Sequence, residues 1–248
     1  MPDVGDMALG ALIAFAAAFL GGVTGFGYAL ASAPLLLLTG FPLRFVVTAN
    51  LAIAGLTRLS IVYRFRHHIS WRRCLGMGAA SVPGLYLGAR VLSDVPESAV
   101  KLLAGCAVMA TVVLLARSLD RPPPKPIPGA PLAAGFVGGL LGGSTSLTGV
   151  GPIVLLTRDK APPTSFLADL AVYFVWTSTV GLSLLALERA LAPEALYPAV
   201  VLWLPGALAG NWIGTVVGPR LPERVFRRLV LTVLFAAGAV TAASGWEG

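Results

Sequence analysis

Hydrophobic residues gather into long blocks along this chain, and short polar stretches punctuate them. Eight apolar blocks are legible: Met7–Leu38, Phe45–Tyr63, Cys74–Leu92, Ala99–Ala116, Leu132–Thr157, Ser165–Leu187, Leu196–Val217 and Phe226–Ala243. A helix needs about 20 apolar residues to cross the hydrocarbon core of a bilayer. The blocks are of that order or longer, so each predicts a membrane-embedded helical segment.

Blocks one and five differ from the others. The first contains GGVTGFGYALASAP (Gly21–Pro34) and the fifth GGLLGGSTSLTGVGP (Gly138–Pro152), so Gly, Ser and Thr interrupt both and a proline closes each. An interior Gly costs a helix about 1 kcal/mol relative to Ala. Broken backbone at membrane depth survives only where protein or a water-filled cavity satisfies its N–H and C=O groups. Both interruptions are therefore expected to line a cavity, with simple packing through small residues as the alternative.

The two halves repeat. Phe19-Leu20-Gly21-Gly22 matches Phe136-Val137-Gly138-Gly139, Pro34 matches Pro152, and Asn50-Leu51-Ala52 matches Asp169-Leu170-Ala171. Further on, Val82-Pro83-Gly84 matches Leu204-Pro205-Gly206. Val95-Pro96-Glu97 with Lys101 matches Leu221-Pro222-Glu223 with Arg227. The shared order predicts a duplicated four-block unit: an N-terminal repeat over 1–120, a stiff proline-rich linker over 121–131, and a C-terminal repeat over 132–248.

Composition narrows the class. Of 248 residues, 56% are hydrophobic and 12% charged, against roughly 25% charged in soluble domains. So few charges cannot cover a soluble core of this size, which excludes an ordinary cytosolic enzyme, a nucleic-acid-binding domain and a disordered tail. The net charge of +7 reads as the basic excess of cytoplasmic loops, not as a nucleic-acid surface. Cys74 and Cys106 lie far apart and outside any CxxC or Cys/His cluster, so both are expected as buried packing thiols. His67-His68 has no accompanying ligand cluster and predicts no metal site. The N-terminal block follows Asp3 and Asp6 where a signal peptide would carry bases, and is read as a retained segment. Without a GxxxxGK[ST] motif no ATPase is built in, and no cofactor is expected.

Charge fixes a topology. Thirteen bases fall in four loops: Arg64, Arg66, Arg72 and Arg73; Arg117, Arg121 and Lys125; Arg158 and Lys160; Arg220, Arg224, Arg227 and Arg228. The remaining loops hold four bases and seven acids. Basic loops face the cytoplasm. Eight single crossings would put the loops after blocks two and seven on opposite faces, although both are strongly basic. The pattern threads if blocks one and five each enter and leave on one side as hairpins. The expected fold is thus an all-α membrane protein of two inverted four-segment repeats, each with one re-entrant or broken hairpin and three full transmembrane helices. The linker would be cytoplasmic and both termini extracytoplasmic. Inverted repeats place a substrate site near the midplane, where the broken segments meet.

Such a site favours an anion, because orphan N–H groups and the positive end of the helix dipole act together. Thr24, Ser144, Thr145, Ser146 and Thr148 add hydroxyl donors, while Gly25, Gly27, Gly149 and Gly151 admit an oxyanion close to the backbone. Arg58, inside block two, either snorkels to the interface or supplies a counter-charge. Asn50 and Asp169 brace the hairpin tips, cap helices or, for Asp169, carry a proton. Asn211 is read as joining helices. Small-residue helices are compatible with a homodimer.

The paired motifs FLGGVTGFGYALASAPLL and FVGGLLGGSTSLTGVGPIVLL resemble the glycine-rich signatures of the TauE/SafE sulfite-exporter family, also called the toluene sulfonate uptake permease family. NLAIAGLTRLSIVYRFRHHISW, VPGLYLGARVLSDVPESAVK and LPGALAGNWIGTVVGPRLPERVFRR look like further family patterns, so the resemblance covers essentially the whole chain. It implies transport of a small sulfur oxyanion: sulfite, thiosulfate or an organosulfonate such as sulfoacetate. The implied site lies around Thr24–Tyr28, including Phe26 and Tyr28, and Ser144–Gly151, with Pro34 and Pro152 as supports.

The expectation is a secondary transporter exporting such an anion across the plasma (inner) membrane. Expelling one negative charge from a negative interior gains about 2.3 kcal/mol per 100 mV. The alternatives are an anion channel and an ion-coupled uptake permease. No His/Asp/Glu or Cys constellation at one depth suggests an enzyme.

Overall fold

The structure is a computed structural model that describes residues 4–94, 97–117, 127–145, 148–187, 192–193 and 195–246. The described residues contain helices and no strand. In chain order the α-helices are α1 (Val4–Thr24), α2 (Gly27–Leu38), α3 (Leu43–Arg64), α4 (Trp71–Asp94) and α5 (Glu97–Arg117). They continue as α6 (Ala130–Thr145), α7 (Val150–Arg158), α8 (Pro163–Leu187), α9 (Val201–Val217) and α10 (Glu223–Trp246). Four stretches among the described residues are long and apolar enough to cross a membrane: Gly5–Thr24, Phe45–Arg64, Pro163–Leu187 and Val201–Arg220.

Blocks one and five are each interrupted well inside the block, and block seven is kinked near its start at Tyr197 (φ −138°, ψ 128°). α1 stops at Thr24 and α2 starts at Gly27; α6 stops at Thr145 and α7 starts at Val150. In both cases the two arms pack on each other, forming hairpins. The arms are unequal, 21 then 12 residues in the first hairpin and 16 then 9 in the second. The closing prolines fall differently from the sequence expectation. Pro152 sits in the first turn of α7, where its missing N–H has no intrahelical partner to lose. α2 instead resumes seven residues before Pro34 and runs through it.

The exits of both hairpins share one local geometry. After α2, the N–H of Phe41 bonds the carbonyl of Leu36 at 3.3 Å; after α7, the N–H of Ala161 bonds that of Leu156 at 3.0 Å. Each joint turns on a left-handed residue, Gly40 (φ 87°) or Lys160 (φ 51°), and a proline follows two residues later. This six-to-one bond around a left-handed residue is the Schellman helix stop.

The helices form two compact units. One comprises residues 1–69 and 171–221, the other 70–170 and 222–248. Neither coincides with a sequence half, since each joins the broken hairpin of one half to the Pro-Gly helix of the other.

In the first unit α1 lies along α9. A Cβ at Gly210 would run into the carbonyl of Phe15, one at Gly214 into that of Phe19, and one at Gly218 to 2.6 Å from that of Val23. The pairs advance together, so α1 and α9 are parallel and touch backbone to backbone, as glycine at every fourth position allows. At their starts Trp203 fills the space left by Gly10 and donates from Nε1 to the Met7 carbonyl at 2.9 Å. Phe41 and Phe45 stack at 4.8 Å and meet the Trp203 ring edge-on, closing a core of Ala14, Ala17, Ala18, Val46 and Ile53.

The second unit repeats the device with α6 along α4. Gly135 faces the Met77 carbonyl and Gly139 that of Ser81, while Gly84 faces Phe136, again in parallel. α5 and α10 pack antiparallel, Gly105 against Ala242 and Val108 against Gly238. Phe166 and Phe226 meet edge-on at 5.4 Å.

Candidate functional site

The first break is built by its own residues. Gly25 has φ 89°, a conformation side chains resist, and this turns the chain after α1. The Thr24 hydroxyl donates to the Leu20 carbonyl at 2.9 Å and accepts from the N–H groups of Gly27 (3.1 Å) and Phe26 (3.4 Å). It therefore caps α2 from within the chain, and two of the donors expected to await an anion are engaged by it. Thr24, Phe26, Gly27 and Tyr28 are all buried.

Beside this turn lies the charge. Arg58 is 2% exposed and stands six residues, about 9 Å along the helix, from the end of α3 at Arg64. Its side chain is thus inside the unit and does not snorkel. A Cβ at Gly21 would lie 3.1 Å from Arg58 Nη2 and 3.0 Å from Tyr28 Cβ, so the glycine makes room for both. Arg58 Nη1 donates to Asn211 Oδ1 at 3.4 Å, and the guanidinium carbon lies 5.8 Å from the centre of the Phe174 ring. Among the described residues no carboxylate pairs with Arg58, and neither its Nε nor the Tyr28 hydroxyl has a hydrogen-bond partner. A buried cation without a counter-ion is expensive in any protein and more so in a bilayer.

Asn211 fixes the guanidinium's surroundings. Its amide donates to Ser60 Oγ at 3.0 Å and the Thr57 carbonyl at 3.3 Å, which turns Oδ1 toward Arg58. Sequence reasoning read Asn211 as a helix joiner, and it does join α9 to α3. Its place in the Arg58 cluster went unread, although an Asn in an apolar helix is itself a functional signal. Thr57, Ser60 and Phe174 carry no such signal and are found only through the packing. One turn on, Arg64 Nη1 donates to Thr215 Oγ1 at 3.0 Å.

Asn50 accepts from Ser32 Oγ at 3.0 Å and so braces α2, the return arm of the first hairpin. Its sequence mate Asp169 is fully buried in the second unit and accepts from the Ser70 N–H at 2.8 Å and Arg73 Nε at 2.7 Å, with a second ion-pair contact to Arg73 Nη2. It caps the start of α4, and its acid charge is matched by Arg73. The Cys74 thiol lies 3.4 Å from Asp169 Oδ1 and is buried as expected, whereas Cys106 is exposed, against the expectation of a packing thiol.

At the second break, Ser144 and Thr145 are the last two residues of α6, and Ser146 lies outside the described residues. Thr148 and Gly149 form the turn into α7. A Cβ at Gly142 would lie 2.7 Å from Thr148 Oγ1, so the turn folds back on α6. Gly151 is buried against the Ala134 carbonyl, which gives it a packing role. α8, the repeat counterpart of α3, carries no Lys or Arg, so Arg58 has no counterpart at the matching place on α8.

Apolar helices of spanning length, two broken hairpins and polar groups held inside define a multi-pass α-helical membrane protein of the transporter class. The family model for the sulfite exporter TauE/SafE matches residues 10–241, nearly the whole chain. The chain belongs to this family, which consists of membrane transporters and not of enzymes. Neither a curated protein nor a solved structure matches it significantly.

Proposed function

We propose that the chain is a secondary transporter that carries a small sulfur-containing oxyanion, sulfite or an organosulfonate such as sulfoacetate, outward across the plasma membrane, with Arg58 as the charge that receives it. The observation that carries this reading is the buried guanidinium with no acid beside it among the described residues, next to the buried Tyr28 phenol. A sulfur oxyanion offers several acceptor oxygens and a negative charge. Arg58 Nε and the Tyr28 hydroxyl supply two donors of suitable kind, and charge-assisted hydrogen bonds of this type are the strong ones. Asn211 holds the guanidinium in one orientation.

The inverted-repeat topology belongs to the same reading. If each hairpin returns to its entry side, three crossings follow it and the second half starts on the opposite face. α1 would then run parallel to α9, α4 parallel to α6, and α5 antiparallel to α10. A repeat without inversion would reverse all three relations, and would set α5 and α10, which hold matching positions in the two halves, parallel. The helix directions within each unit support the inverted threading; with the basic loops inside, the proposed linker side is cytoplasmic and both termini are outside. Outward transport suits an anion because the membrane potential drives it, at about 2.3 kcal/mol per charge per 100 mV.

The test is flux from liposomes loaded with sulfite, thiosulfate or sulfoacetate under an imposed voltage. Saturable efflux that grows with voltage is expected, with Arg58→Lys slowed and Arg58→Gln inactive. Unchanged flux in Arg58→Gln, or influx that follows a proton gradient irrespective of voltage, would overturn the proposal.

A further inference from the structure

A cavity of about 730 Å³ lies wholly within the second unit and plays no part in the proposed site. It opens beside α10, the C-terminal part of α5 and the turn between α7 and α8. Lys160, Arg224, Arg227 and Arg228 line one end, and Glu223 is the one acid in the lining. Arg227 is buried and structural. Its Nη1 donates to the Thr157 carbonyl at 3.1 Å and its Nη2 to that of Ala161, while Glu223 accepts from it one helical turn away. The Arg227 contacts fasten α10 to the α7–α8 turn. Arg224 and Arg228 are exposed on α10 beside this anchor.

Away from the basic end the lining becomes apolar. Val112 and Val113 of α5 face Leu231 and Phe235 of α10. Val112 and Leu231 are buried and form the floor, while Val113 and Phe235 are each about two-fifths exposed and leave the wall open beside them. From Arg228 to Phe235 the helix rises about 10 Å, and along that distance the surface changes from cationic to apolar. A free oxyanion would use only the first part of this surface. A phospholipid uses both, with the phosphate among the bases and an acyl chain along the wall. The bases belong to the loop set whose side of the membrane is the basic one.

We propose that this groove is a binding site for an anionic phospholipid. The experiment uses the full chain, delipidated in a neutral detergent, and follows thermal unfolding as lipid is added. Phosphatidylglycerol should raise the melting temperature, whereas phosphatidylcholine with the same acyl chains should not. Inorganic phosphate and sulfite at matched concentration should also fail to reproduce the shift. Arg228→Gln should leave the melting temperature in phosphatidylcholine unchanged and raise the phosphatidylglycerol concentration needed for half the shift roughly fivefold. Arg224→Gln should act alike, and Phe235→Gln should weaken the effect from the apolar end. An equal shift with phosphatidylcholine would mean general lipid solvation and overturn the proposal. A shift with phosphate or sulfite alone would assign the bases to a free anion and overturn it too, as would unaltered phosphatidylglycerol midpoints in both arginine variants.

Discussion

Replacing Arg58 by Met separates a substrate-binding charge from a structural one, because the two roles predict opposite signs. The change keeps an unbranched apolar stem out to the level of Nε and removes the charged guanidinium beyond it. The folded protein then loses a long hydrogen bond to Asn211 at 3.4 Å and a peripheral contact with the Phe174 ring at 5.8 Å. The ring contact is worth about 0.5–2 kcal/mol, and an Asn211 oxygen left without its donor costs about 1–3 kcal/mol. Against this, the folded state no longer holds a desolvated cation without a counter-ion, a burden of several kcal/mol. Stability without ligand should therefore be unchanged or higher, by up to about 3 kcal/mol. The ligand response should move the other way. At a hundredfold excess over its dissociation constant, an anion bound only to the folded state adds about 2.7 kcal/mol, and Arg58→Met should lose that gain. Both quantities come from thermal unfolding in detergent with and without sulfite or sulfoacetate. A variant destabilised by more than about 2 kcal/mol that still gains fully from the anion would refute the reasoning, because Arg58 would then be a packing group.

Three further outcomes follow from the packing. Gly214→Ala places a Cβ 2.8 Å from the Val23 nitrogen and 2.9 Å from Gly22 Cα, so it should cost about 1–3 kcal/mol by overpacking. Gly206→Ala, on the same helix with 3.7 Å to its nearest neighbour, should be neutral or stabilising by up to about 1 kcal/mol; equal effects in an unfolding titration would contradict the close parallel contact. Asp169→Asn leaves Arg73 without its acid and the Ser70 cap weakened. It should cost about 3 kcal/mol in thermal unfolding, and Arg73→Met should recover part of the loss in the double variant. Thr24→Val keeps the branched shape but removes the hydroxyl that caps α2, so it should cost about 1–2 kcal/mol while Thr24→Ser costs less; equal losses measured by calorimetry would remove the cap from the account.

The sequence alone determined the helical membrane class, the places where two blocks break, and the family. These properties are local: apolar length sets the spans, and Gly25 with its neighbours cannot continue a helix cheaply. Arg58 was also visible, since a lone charge in an apolar block stands out, but its burial was not. Whether it reached an interface depended on what α9 placed beside it, and Asn211 lies 153 residues away. The same holds for Asp169, whose partner Arg73 had been counted with a loop. The tertiary structure also decided which helices pair, because α1 seats on α9 and α4 on α6 through glycines whose partners are backbone carbonyls of distant segments. A glycine in the sequence states only that room is needed. Which backbone fills that room is settled by the fold.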